Sequence, residues 1–186
     1  MEPPAITRRR KPFLAPIFLG LMLTIALVGI VAAFVAYAES GASVAIIVRH
    51  AQAPGAIEDP PLSEVGAQRA QTLARMLGDP GSVDRVTAVF ATEARRTQQT
   101  ATPLAARLAI PVTLVHSKDV DQLVRRLLHR DNEGTAVVVT DAVAIPRIIS
   151  GLAKISIPAI ADSDYDRLYV VTVPRFGKAS VVSLKY

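Results

Sequence analysis

The 186-residue sequence has no cysteine. That excludes disulfides and thiolate metal sites, and it is compatible with an oxidising compartment. Charge is missing from a long stretch as well. From Pro12 to Ala38 no residue is charged, and FLAPIFLGLMLTIALVGIVAAFVAYA is almost wholly apolar. About 20 apolar residues suffice to cross a bilayer as a helix, so this run is long enough to span with tilt. A nucleic-acid-binding surface is lacking too. The net charge of +5 is concentrated at the N-terminus: residues 1–38 hold four of the 21 basic residues and one of the 16 acidic ones, which leaves 17 against 15. Membrane topology explains the basic cluster better than a polyanion partner does.

Arg8–Lys11 precede the apolar run and Glu39 follows it. The positive-inside rule then keeps the N-terminus in the cytoplasm and exports everything after residue 40. The expected organisation is a basic cytoplasmic N-terminus (1–11), a transmembrane anchor (12–38), a linker (39–43) and one domain (44–186). AYA at 36–38 also fits a secretory cleavage site, which would release the domain near Ala38. An uncleaved anchor is favoured because a signal's apolar region is typically ~7–15 residues, shorter than this one.

Beyond the linker, valine- and isoleucine-rich strand patterns alternate with helical ones. SVAIIV (43–48), RVTAVF (85–90), PVTLV (111–115), TAVVVT (135–140), RLYVVTV (167–173) and ASVVSLKY (179–186) read as strands. SEVGAQRAQTLARML (63–77) places Val65, Ala70, Leu73 and Leu77 near one helical face, with Ser63 as N-cap. ARRTQQTATPLAARL (94–108) contains Pro103, which predicts a kink or a restart capped by Thr102. DVDQLVRRLLHR (119–130) repeats Val120, Leu123, Val124, Leu127 and Leu128 at helical spacing. Continuous apolar strands alternating with helices predict a three-layer α/β/α domain with a mostly parallel sheet, and the PRFGKA connection predicts an antiparallel hairpin at one edge. Ligands in such folds bind beyond the carboxyl ends of the strands. Arg49 and His50 stand at such an end, so the first strand is read as a post that presents them.

Three stretches carry a resemblance: VRHAQ (48–52), DPPLSEVGAQRAQTLA (59–74) and TEARRTQQTATPLA (92–105). Together, in this order, they resemble the signatures of the histidine phosphatase superfamily, to which phosphoglycerate mutases and many phosphomonoesterases belong. The likeness runs from about residue 43 to the C-terminus. It implies that His50 is a nucleophile forming a phosphohistidine, and that Arg49 and Arg96 clamp the phosphate. Thr92, in the position of the family's serine, is a candidate phosphate donor or an ordinary helix N-cap. The physics agrees with these roles. Phosphoryl transfer depends on positioning and charge stabilisation, and the planar arginine fork suits phosphate oxygens. The scheme needs no metal or cofactor, and no metal-ligand spacing is visible. Glu58 and Asp59 read as solvated loop charges, and His129 as part of a solvated helix face.

The pattern departs from the family at its second histidine. Aligning on Pro146 and RIISGL puts Asp141 in that position. A carboxylate there would repel a dianionic ester, and losing one such donor typically costs on the order of a hundred- to a thousand-fold in rate. Either Asp141 acts in its acid form as donor to phosphate or leaving group, or another histidine reaches in, His116 being the candidate at a strand end. The family's proton donor is not identifiable; Asp119 and Asp121 fit the first turn of a helix equally well.

Two functions follow as expectations: a metal-independent phosphomonoesterase acting on a phosphorylated small molecule or phosphoprotein, or a catalytically weak relative that binds a phosphorylated ligand or partner at the membrane. A blander reading keeps only the ancestry of the fold and predicts that phosphate analogues do not bind.

Overall fold

The computed structural model describes residues 15–39, 42–55, 58–79, 86–129 and 134–186. It divides into two compact units, Met1–Ala38 and Glu39–Tyr186. In the first, α1 (Ala15–Glu39) is a helix whose segment Pro16–Tyr37 is 22 residues long with mean hydropathy 2.7, enough by length and composition to cross a membrane. A signal sequence passes the same test. The basic residues 8–11 lie outside the described residues.

The second unit alternates β1 (Ser43–Arg49), α2 (Glu64–Gly78), β2 (Val86–Thr92), α3 (Arg95–Leu108), β3 (Val112–Val115), α4 (Val120–Leu128), β4 (Thr135–Thr140), α5 (Ala144–Ala153), β5 (Arg167–Val173) and β6 (Ser180–Lys185). The sheet order is β3-β2-β4-β1-β5-β6. β1 to β4 are parallel, and β5 and β6 add an antiparallel edge. The α/β fold with a mostly parallel sheet is therefore as the sequence predicts.

Alternation along β1 explains why it is apolar throughout. Ala45 and Ile47 enter a core closed by α4 and α5, while Ile46 and Val48 enter a second core closed by α2 and α3. Burying each such valine or isoleucine is worth ~1.5–3 kcal/mol, so the central strands anchor both layers. Ser63 caps α2 as expected, its Oγ accepting from Gly66 N–H at 3.1 Å.

Three local expectations change. Val65 is 58% exposed, and Gly66 takes the buried position beside it. A Cβ on Gly66 would lie 2.1 Å from the Gln52 carbonyl oxygen, so a bare backbone is what lets α2 approach the loop after β1. Pro103 does not restart a helix: α3 runs through it from Arg95 to Leu108, and Thr102 donates to the Gln98 carbonyl instead of capping. Thr92 is not an N-cap but the last residue of β2, 3% exposed, with its hydroxyl 2.9 Å from that of Thr97.

Candidate functional site

Parallel pairing puts Arg49 opposite Thr140 at the carboxyl ends of β1 and β4. The next residue on each strand is His50 and Asp141, so register alone makes them neighbours. The His50 N–H donates to the Thr140 carbonyl at 3.0 Å, which extends the ladder by one bond and fixes the backbone at the histidine. Beyond β4 lies β2, and α3 begins three residues after it, so Arg96 in its first turn reaches the same place. The result is a cleft of about 240 Å³ lined by His50, Ala53, Pro54, Gly55, Pro60, Arg96 and Tyr165.

His50 is 7% exposed. Its Nδ1 lies 2.8 Å from the Ala51 carbonyl oxygen, which can only accept, so Nδ1 carries the proton in the neutral ring. Nε2 is left with its lone pair and lies 3.6 Å from Asp141 Oδ1. Burial holds the imidazole below its ordinary pKa, with the Arg96 and Arg49 charges acting in the same direction, against the Ala51 bond and the Asp141 carboxylate. A neutral histidine with a defined free nitrogen is the form a nucleophile needs.

The two arginines differ. Arg96 donates through an Nη to Asp141 Oδ1 at 2.6 Å, and both side chains remain partly open, 27% and 29% exposed. Arg49 is 8% exposed and turned to the other side. One of its Nη atoms donates to the carbonyls of Ala161 and Asp162, each at 2.9 Å, and the other donates to the Tyr165 hydroxyl at 3.3 Å. Its guanidinium also stacks 4.1 Å over the Tyr165 ring. Only its Nε, buried, has no hydrogen-bond partner among the described residues.

The structure thus brings His50, Arg96 and Asp141 together, with Arg49 behind them. It does not bring Thr92, whose hydroxyl is buried against Thr97. His116 does not line the cleft either: it is well exposed, with Nδ1 3.1 Å from Glu93 Oε1. His129, the residue that ends α4 as its C-cap, is exposed. Among the described residues, then, His50 is the one histidine in the cleft. Asp59 is more than a loop charge: its Oδ1 accepts from the Arg95 N–H at 2.7 Å and so holds the first turn of α3. That contact leaves Arg95 exposed and Arg96 inward, which settles which of the pair faces His50.

Sequence reasoning missed Tyr165. It forms one wall of the cleft, with its ring centroid 6.0 Å from that of His50. No local motif surrounds it in DSDYDR, and only its contact with Arg49, 116 residues away, gives it a place.

Residues 45–119 match the family model of the histidine phosphatase superfamily (branch 1). No curated protein matches in sequence. Among solved structures, the chain is similar to a protein histidine phosphatase SixA complexed with tungstate, at 19% identity and TM-score 0.62, covering 76% of this chain and 96% of that one. A mycobacterial glucosyl-3-phosphoglycerate phosphatase is similar at 14% identity and TM-score 0.58, covering 78% and 98%. At these identities the likeness is one of fold. The family model covers the stretch that holds the three motifs, and the solved structures agree with the chain in fold.

Proposed function

We propose that the domain is a metal-independent phosphomonoester hydrolase working through His50. The observation that carries this reading is the tautomer: Nδ1 is tied to the Ala51 carbonyl, and Nε2 stands free opposite Arg96 and Asp141. The Nε2 lone pair attacks phosphorus, the N–P bond forms and the ester P–O bond breaks. The departing oxygen takes a proton from Asp141 in its acid form. Water then attacks the phosphohistidine, phosphate leaves, and Asp141 regains its proton. Arg96 spreads the charge of the non-bridging oxygens, after exchanging its hold on Asp141 for the phosphate. Arg49 shapes the pocket through Tyr165, and its Nε, which has no partner among the described residues, stays buried behind the cleft. The substrate is a phosphorylated small molecule or a phosphoprotein.

The same geometry supports a second reading, a phosphate-binding relative without turnover. Asp141 already satisfies Arg96, and an internal anion in the cleft competes with an incoming one. Hydrolysis of an aryl phosphate by the full-length chain separates the two. The expected result is turnover that falls by at least ~10³-fold in His50→Ala, in keeping with the loss of a nucleophile. An inactive wild type with activity gained in Asp141→His supports the binding reading. Silence in both, without vanadate binding, refutes both.

For localisation, the proposal is a single-pass protein with residues 12–38 as anchor, 39–43 as linker, a cytoplasmic N-terminus and an exported domain. The apolar helix Pro16–Tyr37 and the preceding basic residues support it. Release of the chain by cleavage near Ala38 is the competing outcome, and the mass of the mature protein decides between them.

A further inference from the structure

The two ends of the sheet carry different chemistry. The carboxyl ends of β1, β2 and β4 carry the cleft and most of the domain's acidic residues, among them Asp59, Glu93, Asp141 and Asp164. The other end is basic. Each of α2 to α5 runs back from the cleft end, so their last turns gather where the parallel strands begin. Arg125 and Arg126 lie in the last turn of α4, and Lys154 follows α5. Because β5 is antiparallel to β1 and Val173 pairs with Ser43, the β5–β6 turn falls at this end too, with Arg175 and Lys178. Among the described residues the acids here are Asp79, bound to Arg107, and Glu39, four steps before Ser43 in sequence. The connecting segments 80–85 and 130–133 add two basic and three acidic residues by sequence, which leaves the excess positive.

Two further observations centre this charge on the first residue of β1. The Ser43 hydroxyl donates to the Leu128 carbonyl at 3.3 Å, which fastens the end of α4 to the start of β1. On the other side the turn places Phe176, a large apolar ring, 52% exposed between the two basic residues. Gly177, at φ 106°, provides the left-handed residue that the tip requires. An exposed phenylalanine flanked by cations is a costly surface for water and a favourable one for a bilayer interface, where the ring enters the headgroup region and the cations meet lipid phosphates.

Sequence supplies the proximity. Four residue steps separate Glu39, the last residue of α1, from Ser43, and an extended chain covers at most about 14 Å in that distance. A helix embedded in a bilayer therefore delivers the start of β1 to the bilayer surface.

We propose that the basic end of the domain, Arg125, Arg126, Lys154 and the Arg175–Lys178 turn with Phe176 at its tip, docks on the anionic lipid surface of the membrane that holds the N-terminal helix. This rests on the anchor reading above. Docking fixes the polarity of the domain: β1 rises about 3.3 Å per residue, so His50 stands roughly 23 Å from Ser43 and faces away from the lipid. The cleft then meets phosphoesters dissolved in the aqueous compartment in preference to lipid phosphates.

The chain has no tryptophan, so Phe176→Trp creates a single fluorescent reporter in the full-length protein. The reporter chain is reconstituted into vesicles of brominated phosphatidylglycerol or brominated phosphatidylcholine, and flotation is checked before emission is read. The expected result is flotation with both lipids and quenching in the anionic vesicles, relieved as salt rises and the Debye length contracts from ~10 Å at 0.1 M to ~3 Å at 1 M. Adding Arg175→Gln and Lys178→Gln should shift the docked-to-undocked ratio about 25-fold, at about fivefold per basic residue. Val143→Trp, 80% exposed in the wild type at the cleft end, should stay unquenched. Flotation without quenching of the Phe176→Trp reporter overturns docking and leaves the anchor standing. Equal quenching in both lipids, insensitive to salt, overturns the electrostatic contact. Failure to float with either lipid overturns the anchor and the docking together.

Discussion

The two walls of the His50 cleft are built from the same kind of side chain put to different use. On the β5 side, Arg49 is buried, its Nη atoms engaged by two carbonyls and a phenol, and its plane covered by Tyr165. On the β4 side, Arg96 is partly open and held by Asp141. The first arginine is part of the framework, since displacing it strands the Ala161–Tyr165 segment. The second is a contact that an incoming anion can exchange, because one carboxylate is traded for another oxyanion. Two guanidiniums within one motif set thus separate into a structural support and an exchangeable clamp.

The strongest way to break this comparison is Arg49→Ala. It removes three hydrogen bonds made by a buried charged donor, each worth ~1.5–3 kcal/mol, to acceptors that are half-buried or exposed. A loss of about 3 kcal/mol in unfolding free energy is expected, with faster amide exchange in residues 161–166. Chemical denaturation and hydrogen exchange check it. An unchanged midpoint would mean that the segment holds itself.

Arg96→Ala should act the other way round. A pair this exposed contributes ~0–1 kcal/mol to stability, so the denaturation midpoint should barely move. Aryl phosphate hydrolysis should fall on the order of a hundred- to a thousand-fold, as for the loss of one charge-stabilising donor. A variant that unfolds as readily as Arg49→Ala would erase the distinction between the walls.

Asp141→Asn sharpens the same contrast by freeing Arg96 without removing it. Two unit charges about 4 Å apart interact by ~4 kcal/mol at an effective dielectric of 20, and the exposure of Asp141 reduces that to roughly a third. Vanadate should therefore bind about tenfold more tightly to this variant, since 1.4 kcal/mol is one decade. Titration calorimetry reads the change. Weaker binding would show that the carboxyl group donates to the anion instead of opposing it.

What the sequence made legible was local or periodic. Ser63 as cap, the double-sided burial of β1 and the strand-end position of Arg49 and His50 each follow from a few adjacent residues. Asp141 was placed by counting back from Pro146, and the parallel register of β1 and β4 brings it to His50. The rest depends on contacts across more than a hundred residues. Arg49 meets Ala161, Asp162 and Tyr165 only because β5 returns antiparallel beside β1, and nothing near Arg49 in sequence announces that. Val65 was misread for a related reason: helical spacing identifies a face, but the close approach of Gly66 to Gln52 sets how that face is turned. Thr92 resembled a cap because a helix follows, yet β2 extends through it, and its hydroxyl is used inside the core.

The smallest expected effect lies in the pH dependence of His50, and it compares the whole cleft with the unfolded chain. Burial lowers the folded-state pKa below the ordinary 6.5. Above pH 6.5 the imidazole is neutral in both states and its contribution to stability is constant. As pH falls below 6.5, the unfolded chain takes up a proton that the folded site resists, so the unfolded state gains and stability declines until the folded pKa is passed. His50→Gln should flatten this slope, measured as the difference between the two proteins' denaturation midpoints from pH 7.5 downward. The same shift keeps Nε2 unprotonated in mild acid, so the acid limb of kcat/KM should fall below pH 6.5. A limb above 6.5 would mean that the raising influences, the Asp141 carboxylate and the Ala51 bond, outweigh burial and the two arginines.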